Sequence, residues 1–498
     1  MVRAPSPCHP RQRSIGPIRR LQARPRTFFR LAPVPTGQPV CFAVRRGELP
    51  DERLDPGFVR NSKKQNYAYP KRSLATLVSE EPCYGTSASA VERTSDDQPR
   101  YIRITDYGDD GITLPHEFVA AEKWADKHLL SKGDLLFARS GATVGKTYLH
   151  DVRFDPAVFA GYCIRFRFNN EVLPEFVCGF TKTDAYASWV GAIQRPAGQP
   201  NINKEEFKSL EIPLPPLDIQ RRLVAELDAA RAERDRALAE AERLLKSIDK
   251  YVLAELAILP ESDGRRVFAV RLNQVKPRLD ADYHSPYFQR LRRASEQSKH
   301  ATRNLGDLAV FMRSGFAAGR QDQARGDEAA VPHLRPLNLN AWGELSIAET
   351  KSVPASRVKE DDYLTQGEVL FNNTNSAEWV GKTAVFDLET PCACSNHMTR
   401  IALKPGIEPY FVAALLNAFR GIGYFSALST FFNNQAGINT STLAELRVPV
   451  PDADTQQTIA REVVDRKDKA RRLQAHAETV WRKARECFEQ QLLQGGKA

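Results

Sequence analysis

The chain has 498 residues, 42% of them hydrophobic and 27% charged, an ordinary globular composition that at about 150 residues per domain allows two to four domains. Its formal charge of +10 arises wholly in residues 1–46, which hold ten Arg and no Lys, Asp or Glu, so positions 47–498 balance 61 basic against 61 acidic residues and net charge does not mark a nucleic-acid-binding body. Eight scattered Cys are too sparse for a disulfide framework, and no apolar run approaches the roughly 20 residues of a membrane span.

Taken in chain order, residues 1–46 come first, with seven Pro in the first 35 positions, and are expected to be a disordered extension or sequence translated upstream of the true start. The Arg-rich, acid-free makeup also resembles an organellar transit peptide, whereas a secretory signal would need an apolar centre that is lacking.

From there the chain repeats itself with a period of roughly 236 residues. Arg53-Leu54-Asp55 recurs as Arg278-Leu279-Asp280, and Gly133-Asp134-Leu135-Leu136-Phe137 as Gly367-Glu368-Val369-Leu370-Phe371. Val144-Gly145-Lys146-Thr147 returns unchanged as Val380-Gly381-Lys382-Thr383. Pro174 with Phe176-Val177 matches Pro409 with Phe411-Val412, each opening an apolar segment that reads as a helix. Leu210-Glu211-Ile212-Pro213-Leu214-Pro215 matches Leu446-Arg447-Val448-Pro449-Val450-Pro451, and Gln220 matches Gln456. Between these fixed points, Ala138–Thr143 gives way to the longer Asn372–Trp379, so the scaffold is duplicated while this loop has diverged.

Each half ends on proline and then a long stretch without Gly or Pro. In the first stretch Val224, Leu227, Leu238, Ala241, Leu245, Ile248 and Val252 recur at spacings of 3 and 4, with Arg231 and Arg234 interrupting the stripe. In the second, Val463, Ala470, Leu473, Ala477, Val480, Ala484 and Cys487 do the same. Both predict coiled-coil helices, rods of about 60 Å at 1.5 Å per residue, and their length favours pairing with each other, antiparallel, over packing as ordinary amphipathic helices.

Catalytic signatures are missing. Ser140–Thr147 looks like a phosphate-binding loop, but the Gly required five positions before Gly145 is Ser140, and its counterpart is Ser376. Cys392, Cys394 and His397 have no second Cys/His pair at zinc spacing, so no metal site is expected. No local nucleophile signature, dinucleotide fingerprint or methyltransferase Asn/Asp-Pro-Pro-Tyr/Phe element occurs.

Two motifs, Gly133–Phe137 leading to Val144-Gly145-Lys146, and Leu210–Arg221, together with their duplicates, make the chain resemble the specificity subunits of type I restriction-modification enzymes over about residues 47–495. The resemblance implies an α+β fold: two tandem α/β target recognition domains joined by two long helices that pair as an antiparallel coiled coil. On it the chain divides into the extension 1–46, a first target recognition domain 47–215, a spacer helix 216–260, a second target recognition domain 261–451 and a second spacer helix 452–494. The implied function is sequence-specific recognition of a bipartite target in double-stranded DNA, without catalysis. The implied partners are methyltransferase subunits, two of them, which supply the S-adenosylmethionine chemistry, and motor-nuclease subunits. No cofactor is expected on this chain, no membrane association, and a cytoplasmic location.

Neither recognition domain is basic, with 21 basic to 24 acidic residues in 47–215 and 22 to 20 in 261–451, so the phosphate contacts that dominate DNA affinity are expected from partners. Base readout favours Arg for guanine and Asn or Gln for adenine. The candidates are Arg139, Lys146, Arg195, Gln199 and Asn201 in the first half. In the second they are Asn372, Asn373, Asn375, Lys382, Asn433, Asn434 and Gln435. For each taken singly, a role as turn or cap former outweighs base contact, for Asn201 and Asn439 above all. The competing readings are a restriction component with its own nuclease or methyltransferase activity, and a coiled-coil adaptor that binds no DNA.

Overall fold

A computed structural model describes residues 66–114, 117–193, 200–258, 267–271, 275, 278, 280–326, 328–432 and 435–495. The extension 1–46, the Arg53–Asp55 side of the first repeat match and Leu279 lie outside the described residues.

The first half opens with β1 (Lys71–Ser73) and the one-turn helix α1 (Leu74–Leu77), then β2 (Cys83–Tyr84), β3 (Ala90–Glu92), β4 (Arg100–Ile102) and β5 (Val119–Ala121). It continues with β6 (Leu135–Ala138), β7 (Thr147–Leu149), β8 (Ala157–Phe159) and β9 (Cys163–Phe166), the helices α2 (Pro174–Phe180), α3 (Asp184–Ile193) and α4 (Lys204–Lys208), and β10 (Glu211–Pro213). Strands pair in the orders β2-β9-β6-β7 and β3-β5-β4-β8, while β10 returns antiparallel to β1. The continuous apolar run of β6 follows from a sheet covered on both faces. Leu135 and Phe137 join Ile164, Phe166 and Phe176 on the helix side, whereas Leu136 and Ala138 join Tyr101, Tyr148 and Val158 against the second sheet.

Helix α5 (Leu217–Glu255) leads to the second half, which begins with α6 (Ala281–His284), α7 (Pro286–Glu296), β11 (Thr302–Asn304), α8 (Leu305–Leu308), β12 (Ala309–Ser314), β13 (Ala330–Leu334) and β14 (Ser352–Pro354). Then come β15 (Val369–Asn372), β16 (Thr374–Asn375), β17 (Thr383–Val385), β18 (Ala393–Cys394), β19 (Met398–Leu403), α9 (Pro409–Gly421) and α10 (Tyr424–Leu428). The half closes with β20 (Thr430–Phe432), β21 (Gln435–Gly437), α11 (Thr440–Ala444) and β22 (Arg447–Pro449), after which α12 (Ala453–Gln494) runs to the end. Its main sheet is β12-β19-β15-β17 and β22 closes on β11, the same plan as before. Again the strand alternates between layers: Val369 and Phe371 pack with Phe411 on the helix side, Leu370 with Ala384 and Met398 on the other.

The repeated motifs have structural causes. Gly133 and Gly367 turn the chain at φ of 84° and 89°. The next residue, Asp134 or Glu368, is a buried carboxylate that takes two hydrogen bonds from a guanidinium, Arg167 at 2.7 and 3.0 Å or Arg400 at 2.8 and 2.7 Å. Gly145 and Gly381, at φ of 83° and 90°, lie so close to the following helix that a Cβ would stand 2.8 Å from Val190 or 2.3 Å from Phe425. Cys392 and Cys394 are buried among apolar side chains, and burial pushes their thiols up to about 11 and about 12.

The glutamine shared by both junctions is a lock. Gln220, fully buried in the first turn of α5, donates to the carbonyls of Glu171 (3.1 Å) and Pro215 (2.9 Å) and accepts from the amide of Leu173 (2.8 Å), the N-cap of α2. Gln456, buried in the first turn of α12, donates to the carbonyl of Pro451 (2.9 Å) and accepts from the amide of Glu408 (2.9 Å), the N-cap of α9. One side chain thus ties the start of each long helix to the start of the helix that covers each main sheet.

The 39-residue α5 and the 42-residue α12 pair antiparallel. Leu223 and Leu227 share a core with Phe488 and Leu492 at one end, and Ile248 and Val252 share one with Ile459 and Val463 at the other. His476 meets Glu233 at 2.7 Å and Arg466 donates to Ser247 Oγ at 3.0 Å along the way. The seam differs from the expected stripe at particular places. Leu238 is 42% exposed while Ala237 is buried, and Cys487 is exposed while Phe488 is buried. Arg231 and Arg234 account for the shift, since their guanidiniums lie 5.3 and 5.1 Å from the Trp481 ring and form a cation–π layer in place of an apolar one. Alanines 237, 241, 470 and 477 fill the middle of the seam and keep the helices close.

Candidate nucleic-acid interface

The two halves can be superposed residue by residue through their strand pairing, and this fixes where the divergent loop lies. Phe137 and Phe371 occupy the same place in β6 and β15, so Arg139 corresponds to Asn373 and Ser140 to Thr374. The amide of Arg139 donates to the Tyr162 carbonyl (2.9 Å) and that of Asn373 to the His397 carbonyl (3.1 Å), which pairs Tyr162 with His397. On the other side Ile202 donates to the Arg139 carbonyl (2.8 Å) and Ile438 to the Asn373 carbonyl (2.9 Å). Ser140 bridges Asn201 just as Thr374 pairs with Gly437. The end of the central strand, the turn before β9 or β19, and the segment before α4 or α11 therefore meet at one edge of each module.

In the first module this edge brings Arg139 and Asn201 together. The Arg139 guanidinium lies 4.9 Å from the Tyr84 ring and has no hydrogen-bonding or ionic partner among the described residues, and Asn201 is exposed. Lys146 stands apart, its Nζ 2.8 Å from Asp109 Oδ1, an ion pair that holds the Asp109 carboxyl below its usual range. Arg195 and Gln199 lie outside the described residues. The N-cap of α4 is Asn203, which accepts from the Glu206 amide at 2.9 Å, and it is Asn203 rather than Asn201 that corresponds to Asn439, the N-cap of α11.

In the second module several candidates point inward. Asn372 is fully buried and donates to the Trp379 carbonyl (2.8 Å). Asn373 is buried and donates to Ser314 Oγ (3.3 Å), the Asn396 carbonyl (3.1 Å) and Thr399 Oγ1 (3.0 Å). Lys382 is buried with its Nζ on the carbonyls of Pro336 (2.8 Å) and Leu339 (2.6 Å), and burial, with Arg420 nearby, lowers its pKa. These three hold the loop in shape, and a base edge could reach them only by breaking that framework. Asn375 sits in β16 and accepts from the Ser376 amide (2.9 Å), while Gln435 is exposed at the start of β21; β16, β21 and β20 form one small sheet. Asn433 and Asn434 lie outside the described residues.

Tyr84, 37% exposed, and Tyr162, 62% exposed, are the residues of this edge that sequence reasoning missed. Each stands alone in a short strand or turn with no periodic pattern, and only the cross-strand pairing reveals that they neighbour Arg139.

The family model of the type I restriction modification DNA specificity domain matches residues 100–240, from β4 into α5. A relative from Methanocaldococcus jannaschii, assigned provisionally as the type I restriction enzyme MjaX specificity subunit, is 29% identical over 170 residues, which span 33% of this chain and 38% of that protein's length. The StySPI specificity subunit of Salmonella potsdam is 23% identical over 373 residues, 73% of this chain and 72% of its own. A solved chain from a study of complex assembly and conformational transition of the type I R-M system superposes with a TM-score of 0.50 at 16% identity, covering 87% of this chain and 99% of its own, a likeness of fold. Residues 100–240 thus carry a type I restriction modification DNA specificity domain, and with its duplicated α/β modules and antiparallel helical spacer the chain is similar, over most of its length, to type I restriction-modification specificity subunits.

Proposed function

We propose that this chain is the DNA-recognition component of a type I restriction-modification complex. Each module reads one half of a bipartite target, the paired helices set the gap, and methyltransferase subunits, two per chain, dock on the assembly and supply catalysis that this chain lacks. Motor-nuclease subunits join the same complex. The observation that carries this reading is the pair of equivalent modules packed at opposite ends of one antiparallel helix pair. A rigid link converts two short readings into one long composite specificity, because both must be satisfied in fixed register. The near-neutral modules fit a division of labour in which partners contact the phosphates and this chain reads bases.

The test is co-expression with a type I methyltransferase subunit from the same source in a host free of competing methylation, followed by long-read mapping of modified bases. The expected result is a motif of two short specified blocks separated by a fixed unspecified gap. Absence of a motif, or one contiguous block, would overturn the proposal.

A further inference from the structure

We infer that Arg139, braced by Tyr84, reads a guanine in the half-site of the first module, and that this position has no counterpart reader in the second; the inference rests on the DNA-recognition reading above. Three observations carry it. The main chain of Arg139 is pinned on both sides, by Tyr162 at 2.9 Å and Ile202 at 2.8 Å, so the residue cannot drift. Its guanidinium is held over the Tyr84 ring at 4.9 Å, and Tyr84 is fixed in turn by the pairing of β2 with β9 and by accepting, through its hydroxyl, from the Lys204 amide at 3.3 Å. And the guanidinium makes no hydrogen bond or ion pair among the described residues, in contrast to the neighbouring Arg165 and Arg167, which are committed to Glu80 and Asp134.

Arg139 is half-buried and its Nε is sheltered and unpartnered, so the two terminal nitrogens form the available fork, which matches the O6/N7 acceptor pair of guanine in the major groove, and the Tyr84 stack removes much of the rotamer entropy that binding would otherwise cost. The exposed Tyr162 ring on the adjoining strand end supplies a further apolar contact surface. The second module shows what the same scaffold position does without this task. There Asn373 replaces Arg139 and Ser314 replaces Tyr84 at the edge strand, and the Asn373 amide is consumed by Ser314, Asn396 and Thr399. Between two copies of one framework, a position that closes on itself in one copy opens outward in the other.

The experiment uses the complete chain co-expressed with its methyltransferase, comparing modified-base maps of wild type, Arg139→Ala, Arg139→Lys and Asn373→Ala. Arg139→Ala is expected to relax a single guanine position in one half-site, with discrimination there falling roughly tenfold or more while the other half-site stays unchanged. Arg139→Lys keeps the charge but loses the bidentate fork, and should relax the same position in part. Asn373→Ala should lower the melting temperature without altering either half-site. In parallel, a duplex with 7-deazaguanine at the implicated position should bind the wild-type complex more weakly, with no further weakening for Arg139→Ala. An unchanged motif in Arg139→Ala, or a uniform loss of methylation with no position relaxed, would overturn the inference. A wild-type complex that yields no bipartite motif would instead bring down the DNA-recognition reading on which it rests.

Discussion

Gly381 shows how much of the duplicated sequence is dictated by contact rather than by ligand. Its left-handed backbone and its approach to Phe425 leave no room for a Cβ, whereas Gly406, at a φ of 87°, has open space around its Cβ position. Gly381→Ala should therefore cost about 3 kcal/mol, combining αL strain with overpacking, and Gly406→Ala only about 1 kcal/mol from strain alone; urea titration of the two variants checks the difference. The Val-Gly-Lys-Thr recurrence that resembles a phosphate loop is thus a packing motif, and its lysines have parted ways, Lys146 to a surface ion pair with Asp109 and Lys382 to buried carbonyls. Spacing in the sequence could reject the phosphate loop, because that required only counting. It could not separate Asn373 from Arg139, because inward or outward orientation at a strand end depends on partners such as Ser314 and Thr399 that are distant in the chain.

Between elements, the junction glutamines and a buried carboxylate govern how each module sits on the helices. Removing the fully buried Gln220 side chain leaves the part-buried Leu173 amide and the buried Pro215 carbonyl without their partner, at about 1–3 kcal/mol for each group left unsatisfied. Gln220→Ala and Gln456→Ala should each lower stability by several times the effect of an exposed Gln→Ala such as Gln474→Ala, measured by thermal unfolding. Asp249 of α5 behaves differently. Burial raises its carboxyl to about 6 despite Arg420 on α9 and Lys467 on α12. Because the folded value lies above the unfolded one, stability is lost as pH rises from about 4 through 6. Asp249→Asn should therefore stabilise the protein at pH 7.5, and its advantage should shrink towards zero at pH 4; an advantage independent of pH would refute this assignment. The fold was legible in these elements because two copies of one pattern confirm each other: a run such as Leu135–Phe137 with its duplicate Val369–Phe371, a Pro–Pro stop, a 3-and-4 stripe. The seam was legible only to within a residue, since nothing local says that Arg231 and Arg234 will stack on Trp481, some 250 positions away, and rephase the stripe from Leu238 to Ala237.

At the scale of the molecule, the proposed DNA-recognition role makes the helix pair a ruler, so that its length becomes a prediction about the target. The central seam is built from Ala237, Ala241, Ala470 and Ala477, and removing one heptad from each helix, residues 236–242 and 469–475, preserves the face that each helix presents because the pattern repeats every seven residues. Val252 and Leu227 then remain in their own modules, at opposite ends, with the rods shortened by about 10 Å at 1.5 Å per residue. If the two modules read half-sites along one duplex that follows the helix pair, about 10 Å is close to 3 base pairs, given roughly 34 Å per turn of 10 base pairs. The double deletion should thus keep both specified blocks and reduce the gap between them by about three, as read by modified-base mapping of the co-expressed complex. Deleting either heptad alone puts the pairing of Glu233 with His476 and that of Ser247 with Arg466 out of register with each other, so that only one can form, and should abolish methylation. A double deletion that methylates with an unchanged gap would show that the spacing is set by the partner subunits and not by this chain's helices.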